Sequence, residues 1–470
     1  MGAFPNANGA AGQFFELAWR WKEIDNVCKA CVFKYAQAFL LLIRKDMPGI
    51  GYITTNSFDY NKENLSISTD ESVCGLLFDI SGFYRPFDNF PLLQHFFGDS
   101  QTNLINNLAE AEMYGLCEEE FMGGLPYYHI KQYYNYIGAD APLYICFTSD
   151  NSEWSAVESM QLAANGRLFQ IGIWTSLPLW QSSDRELLFT DLIGNLESAA
   201  EILSGKVGQS TLHNTPISLI VSASTKFSNS VFAIQDAPDA TALNSPKVSI
   251  CLAQNNSDEV VAIQARCPNK APVGCIGIVM ACLHLAYAEE NIGYVSKFNL
   301  NKNDDFNNIG VYFNNRFINA SDITYTVGNF VAENGYILPC TYEGKIAEYF
   351  FSGDPTASNG DYNHISNNRV IHKCRRAMVS ALLPYINDSH TLDVSTGDLS
   401  EGSKTLIITD ILNSLEAALQ NPLGQAQING KSVEINKNGK ILEDDVITVK
   451  MSIDLFNHNN VINEKDDFVI

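Results

Sequence analysis

The run PLYICFTSDNSEWSAVESMQLAANGRLFQIGIW, residues 142–174, decides the fold. Its first part, "PLYICF", is a short apolar run rich in β-formers, which reads as a buried strand. "SEWSAVESMQLAANG" opens on Ser152 as a helix cap and stops at Gly166, so it reads as a helix. "LFQIGIW", 168–174, is a second buried strand. Strand, helix, strand is the arrangement that builds an α/β layer.

The pattern continues outward. "SDRELLFTDLIGNLESAAEIL", starting near Ser183, predicts another helix, and "ISLIVSA" (217–223) and "VSICLAQ" (248–254) predict two more buried strands. "APVGCIGIVMACLHLAYA", 271–288, just reaches the length of a membrane span. Pro272, Gly274, Gly277 and His284 interrupt it and no second such segment exists, so a helix buried in a soluble core is the favoured reading.

The tail differs. "NNRVIHKCRRAMVSALLPYIND" (367–388) is helical, a loop rich in Asp, Ser and Gly follows, and "KTLIITDILNSLEAALQNPL" (404–423) is a helix closed by Asn421 and Pro422. "INGKSVEINKNGKILEDD" (428–445) carries two Asn-Gly pairs, each a hairpin signal. Ile447, Val449, Met451, Ile453 and Leu455 then alternate with Thr448, Lys450, Ser452 and Asp454, the period of a half-buried strand. "VINEKDDFVI" closes the sequence as another extended piece.

At 470 residues the chain exceeds one ordinary core, and two or three domains are expected. With 46% hydrophobic and 18% charged residues it is a folded soluble protein and not a disordered tail. Thirty basic residues face 53 acidic ones, for a net charge of -23. That balance excludes broad binding to nucleic acid, which draws its affinity from Lys and Arg. Eleven scattered cysteines, an odd number, point to a reducing compartment. Cys28 and Cys31 form a lone C-x-x-C with nothing to complete four metal ligands, and read as two small residues of a helix. Residues 1–46 read as a leader or amphipathic extension without the layout of a signal peptide, and Met47 would serve as an alternative start.

Chemistry has little sequence support. No nucleophile elbow, P-loop, dinucleotide fingerprint or zincin motif occurs. The eight histidines lie apart, and "CEEEF" (117–121) and "EKDDF" (464–468) read as solvated charge runs. No catalytic residue, metal ligand or cofactor site is expected, and the balance shifts from catalysis toward assembly.

One basic feature stands out in this acidic chain. Arg369, His372, Lys373 and Arg376 fall at i, i+3, i+4 and i+7, one stripe of a helix whose Ile371, Cys374, Met378 and Leu382 are expected to face its core. Two readings are open. The stripe meets an acidic neighbour or partner, or Asp410 or Glu416 of the next helix neutralises it within the chain.

"GYILPCTYEGKIAEYFFSGDPTAS" (335–358) followed by "DYNHISNNRVIHKCRRAMVSALLPYIND" (361–388) resembles the C-terminal core of sheath proteins from contractile phage tails and related injection machines. The match rests on Asp361, Tyr362, Ile365, Asn368, Arg369, Val370, Ile371 and Lys373, and "VGCIGIVMACLHLAYAEENIGYVSKFNL" (273–300) is similar to an apolar helix upstream in the same proteins. The resemblance implies a multi-domain α/β sheath-type fold: an inner α+β domain built from both chain ends, and an outer α/β region. Its segments would be a leader at 1–46, an N-terminal arm and outer region at 47–325, and an inner domain at 326–470. It also implies self-association into stacked rings around a tail tube protein, with baseplate and tail terminator proteins as further partners, assembly in the bacterial cytoplasm, and no membrane insertion. Arg369, His372, Lys373 and Arg376 would contact the tube or a neighbour. A terminal strand anchored by Val461, Ile462, Phe468, Val469 and Ile470 would be exchanged between subunits, since "NHNN" ahead of it lacks a tight-turn pair. The competing readings are an α/β enzyme, a baseplate component, and an envelope-associated binding module leaning on the leader and on 271–288.

Overall fold

A computed structural model describes residues 69–456, apart from 84–86, 88–89, 118–120, 153, 179–184, 205–214, 225–237, 268–272, 303–305, 307, 314–315, 324–331, 346–347, 387 and 436–446. The expectations for residues 1–46, for Cys28 and Cys31 and for the strand from Val461 to Ile470 lie outside the described residues.

The first half of the fold runs β1 (Cys74–Asp79), β2 (Thr102–Ile105), α1 (Leu125–Ile137), β3 (Leu143–Thr148), α2 (Ser155–Ala163), β4 (Gln170–Pro178), α3 (Arg185–Leu203), β5 (Ser218–Ser224) and β6 (Val248–Cys251). The second runs β7 (Gln254–Asn255), α4 (Ile276–Leu285), β8 (Ile309–Phe313), β9 (Arg316–Asn319), β10 (Tyr336–Ile337), β11 (Pro339–Cys340), β12 (Phe350–Phe351), α5 (Ile365–Leu382), α6 (Glu401–Ala418), β13 (Gly430–Ile435) and β14 (Val449–Asp454). The main sheet has the order β10-β6-β5-β4-β1-β3-β2. It is parallel throughout except for β2, which pairs antiparallel with β3 at one edge. From β1 the chain goes to β3 on one side and then to β4, β5 and β6 on the other, a doubly wound path with its switch between β1 and β4.

Helices on both faces bury β1 and β3 completely, which is why their sequences are continuous apolar runs. Successive side chains still divide between the faces. Leu76 and Phe78 join Ile130 and Tyr133 of α1 and Ile276 and Met280 of α4. Leu77 joins Val157 and Met160 of α2 and Ile193 and Leu196 of α3. Two glycines permit the close approach of α4. A Cβ on Gly172 would lie 2.6 Å from Met280, and one on Gly277 would lie 2.2 Å from the His129 carbonyl of α1. The apolar segment 271–288 thus contains a ten-residue core helix, and among the described residues no helix is long and apolar enough to cross a membrane.

Three local expectations are corrected. Ser152 does not cap α2: its hydroxyl donates to Asp150 at 2.7 Å, and the helix begins after Trp154, which takes a left-handed φ of 51°. Asn429-Gly430 does not turn a hairpin but leads into β13, with Gly430 paired to Asp454. Of the expected core positions of α5, Cys374 is buried while Ile371, Met378 and Leu382 are only half-buried. The buried apolar line is Val370, Cys374 and Ala377, packed on Ile407, Ile411 and Leu415 of α6 and on Val433 and Ile435 of the ribbon. That ribbon, β13 with β14, has the alternation read from the sequence: Val449, Met451 and Ile453 half-buried, Lys450, Ser452 and Asp454 exposed. The expected division at residue 326 separates β10 from its partner β6 and so cuts the main sheet.

Candidate functional site: a basic helix across the amino edge of the sheet

In a doubly wound sheet, a helix that leads into a parallel strand ends at the amino edge of the strands, so carbonyl-rich helix C-termini gather there. α5 lies across that edge. Glu71 precedes β1, Leu168 precedes β4, Pro216 precedes β5 and Lys247 precedes β6, and α5 reaches toward all four.

Arg369 is fully buried. Its Nη1 donates to Tyr287 O at 3.1 Å, and its Nη2 lies 3.0 Å from the carbonyls of Glu71, Leu283 and Ala286. Leu283, Ala286 and Tyr287 are the C-terminal end of α4, where a cation is favoured by the helix dipole. Arg376, also fully buried, donates from Nη1 to Gly166 O at 2.6 Å, and from Nη2 to Leu168 O at 2.7 Å and Pro216 O at 3.0 Å. Gly166 and Leu168 follow the C-terminus of α2, and the guanidinium lies 4.1 Å from the centre of the Phe169 ring. Arg375 donates to Ser204 O, just past the end of α3. Three helices of the sheet thus point their negative ends at arginines of α5. Burial lowers the pKa of Arg369, and it pushes Arg376 down to about 9, still protonated at neutral pH.

Lys373 supplies an ion pair. Its Nζ lies 2.7 Å from Glu71 Oε2 and 2.9 Å from Gln427 Oε1, and Gln427 Nε2 donates to Glu71 Oε1 at 3.2 Å. Burial acts to raise the Glu71 pKa, but Lys373 and then Arg369 lower it on balance. This small network ties the segment ahead of β1 to α5 and to the residues before β13.

The expected contact of Arg369, His372, Lys373 and Arg376 with a tube or neighbour is therefore corrected. All four are 0–5% exposed and face the interior of their own chain. Nor does the next helix neutralise them: Asp410 accepts from Tyr385, and Glu416 is engaged by Lys431 and Gln420. The reason is physical. Backbone carbonyls at helix ends carry enough partial charge to hold a buried guanidinium, and they leave no signature in the sequence.

The start of α5 is held by a residue the sequence did not single out. Asp354 is fully buried, and its carboxylate accepts from Ser366 N at 2.8 Å, from Asn291 Nδ2 at 2.5 Å and from His364 Nδ1 at 2.9 Å. A carboxylate on the first turn satisfies orphan amides and suits the dipole. Burial opposes charge on His364, yet the hydrogen bond and charge of Asp354 prevail and raise its pKa. A signal existed: an Asp-Pro pair ten residues before a helix start is a cap delivered from a distance, but only the isolated bridge Pro355↔His364 brings it there. Among the described residues no three His, Cys, Asp or Glu side chains gather as metal ligands.

No family model matches the sequence, and no curated protein matches it. Solved structures do. A chain of the anti-feeding prophage baseplate shares 11% identity at a TM-score of 0.49, covering 90% of this chain and 99% of that one. A chain of the PVC sheath complex of an extracellular contractile injection system, in its contracted state, shares 8% identity at a TM-score of 0.51, again over 90% of this chain and 99% of that one. The chain has the mixed α/β fold, with its parallel sheet, of this sheath-complex chain.

Proposed function

We propose that the protein is a structural subunit of a contractile injection particle, of the sheath type: it polymerises around a tail tube and shortens to drive the tube through an envelope. The observation that carries this reading is the shared fold, which spans nearly the whole of a sheath-complex chain. The ribbon supports it. Among the described residues β13 and β14 pair only with each other, so each strand leaves one edge for another chain. A ribbon of two strands is marginal alone; here α6 backs it, which leaves it stable and still receptive.

In this reading the terminal strand with Val461, Ile462, Phe468, Val469 and Ile470 adds to the ribbon of a neighbour, and successive rings are joined by such strands. The tail tube, baseplate and tail terminator proteins are the further partners, and the particle forms in the bacterial cytoplasm. The basic stripe has no part in docking; it fastens the ribbon module to the α/β body, so that a pull on the ribbon reaches the sheet through α5. The experiment compares the full chain with one ending at Asn460. The full chain should assemble and the shorter one remain a folded monomer. Assembly of both sinks the strand exchange, and assembly of neither sinks the sheath reading.

A further inference from the structure

His372 stands apart from the rest of the stripe. It is 5% exposed, and its Nδ1 has no hydrogen-bond partner among the described residues. Cations surround it: Arg369, Arg375 and Arg376 from α5 itself, and Lys247 from the turn into β6. The nearby carboxylates are committed elsewhere. Glu197 and Glu201 of α3 pair with Lys247 at 2.9 and 3.5 Å, Glu71 pairs with Lys373, and Asp354 holds His364. Glu289, beyond α4, has a pKa raised chiefly by burial, and its charge acts on Arg369.

We propose that His372 is an acid-sensitive latch between α5 and the sheet. Neutral, it lets α5 lie against the amino edge. Protonated, it adds a further positive charge to a cluster balanced mostly by backbone dipoles, and α5 leaves the edge with α6 and the ribbon.

Burial first, and the neighbouring cations second, hold the His372 pKa well below the ordinary histidine value. A released His372 would titrate near ~6.5, so below that pH the released state takes a proton that the docked state refuses. The balance then moves toward release by up to about tenfold for each pH unit, and above ~6.5 the latch has no pH dependence. Glu71 acts in the same direction but only from about pH 4.3 downward, where a free glutamate gains its proton. His129 and His284, whose pKa values burial also lowers, sit in the packing of α1 and α4, and their protonation opens the body and not α5 alone.

The test is hydrogen exchange by mass spectrometry on the full chain, from about pH 7.5 to about pH 5, which brackets the ordinary histidine value. In the wild type, peptides of α5 and of β13 and β14 should gain exchange below ~6.5 while β1, β4 and β5 stay protected. His372→Gln should keep α5 protected over the same range, and Glu71→Gln should still open. If His372→Gln opens at the same pH as the wild type, the proposal is wrong. Should that variant not fold at pH 7.5, the wild-type map decides: α5 and the strands opening together overturns the latch.

Discussion

At the scale of the residue, the spacing of Arg369, His372, Lys373 and Arg376 was legible in the sequence and their partners were not. A stripe of this kind suggests carboxylates, because carboxylates are the acceptors a sequence displays. Here the acceptors are main-chain carbonyls from segments up to 298 positions away. Arg376 makes the point testable. Methionine keeps much of its volume over Phe169 but strands the carbonyls of Gly166 and Pro216 in the interior, while Leu168 O keeps only its bond from Gln161 Nε2, so Arg376→Met should cost about 2–4 kcal/mol. Arg376→Lys should fall between, since an ammonium cannot fork across separate acceptors. Urea unfolding midpoints measure both, and a methionine variant as stable as the wild type would show that the carbonyls do not depend on the arginine. Charge reversal at Arg369 or Lys373 is expected to unfold the C-terminal module, because it buries a carboxylate among carbonyls or beside Glu71.

At the scale of the element, long runs were legible and short ones were not. The strands of residues 143–148, 170–178 and 218–224 and the alternation of β14 follow from local pattern. The two-residue strands β10, β11 and β12 owe their existence to partners far along the chain, which no local pattern records. The cap of α5 belongs to the same class and has a pH signature. His364 has a folded pKa raised by Asp354, so its contribution is complete below the unfolded value near ~6.5 and is lost as pH rises through the folded pKa. Thermal melts across that rise should show the wild type losing stability and His364→Gln nearly flat. This slope is opposite in sign to that of His372 and occupies the other side of ~6.5, so the two histidines of one helix can be told apart. Equal slopes in wild type and variant above ~6.5 would remove the cap from the account.

At the scale of the molecule, α5 joins two modules of different character. The α/β body is built on a mostly parallel sheet whose central strands are buried, and the C-terminal module carries a ribbon whose two strands, among the described residues, pair only with each other. The resemblance to sheath proteins implied a sheath-type arrangement, but not how the halves are fastened, since the fastening runs through α5. With a net charge of -23 on every copy, like-charge repulsion opposes assembly, and salt should favour it. Negative-stain electron microscopy of the purified full chain at moderate ionic strength is the most direct test of the central claim, that this is a polymerising structural subunit. The account predicts long tubes of uniform diameter with regular cross-striations; a field of discrete particles of monomer size under every salt condition would contradict it.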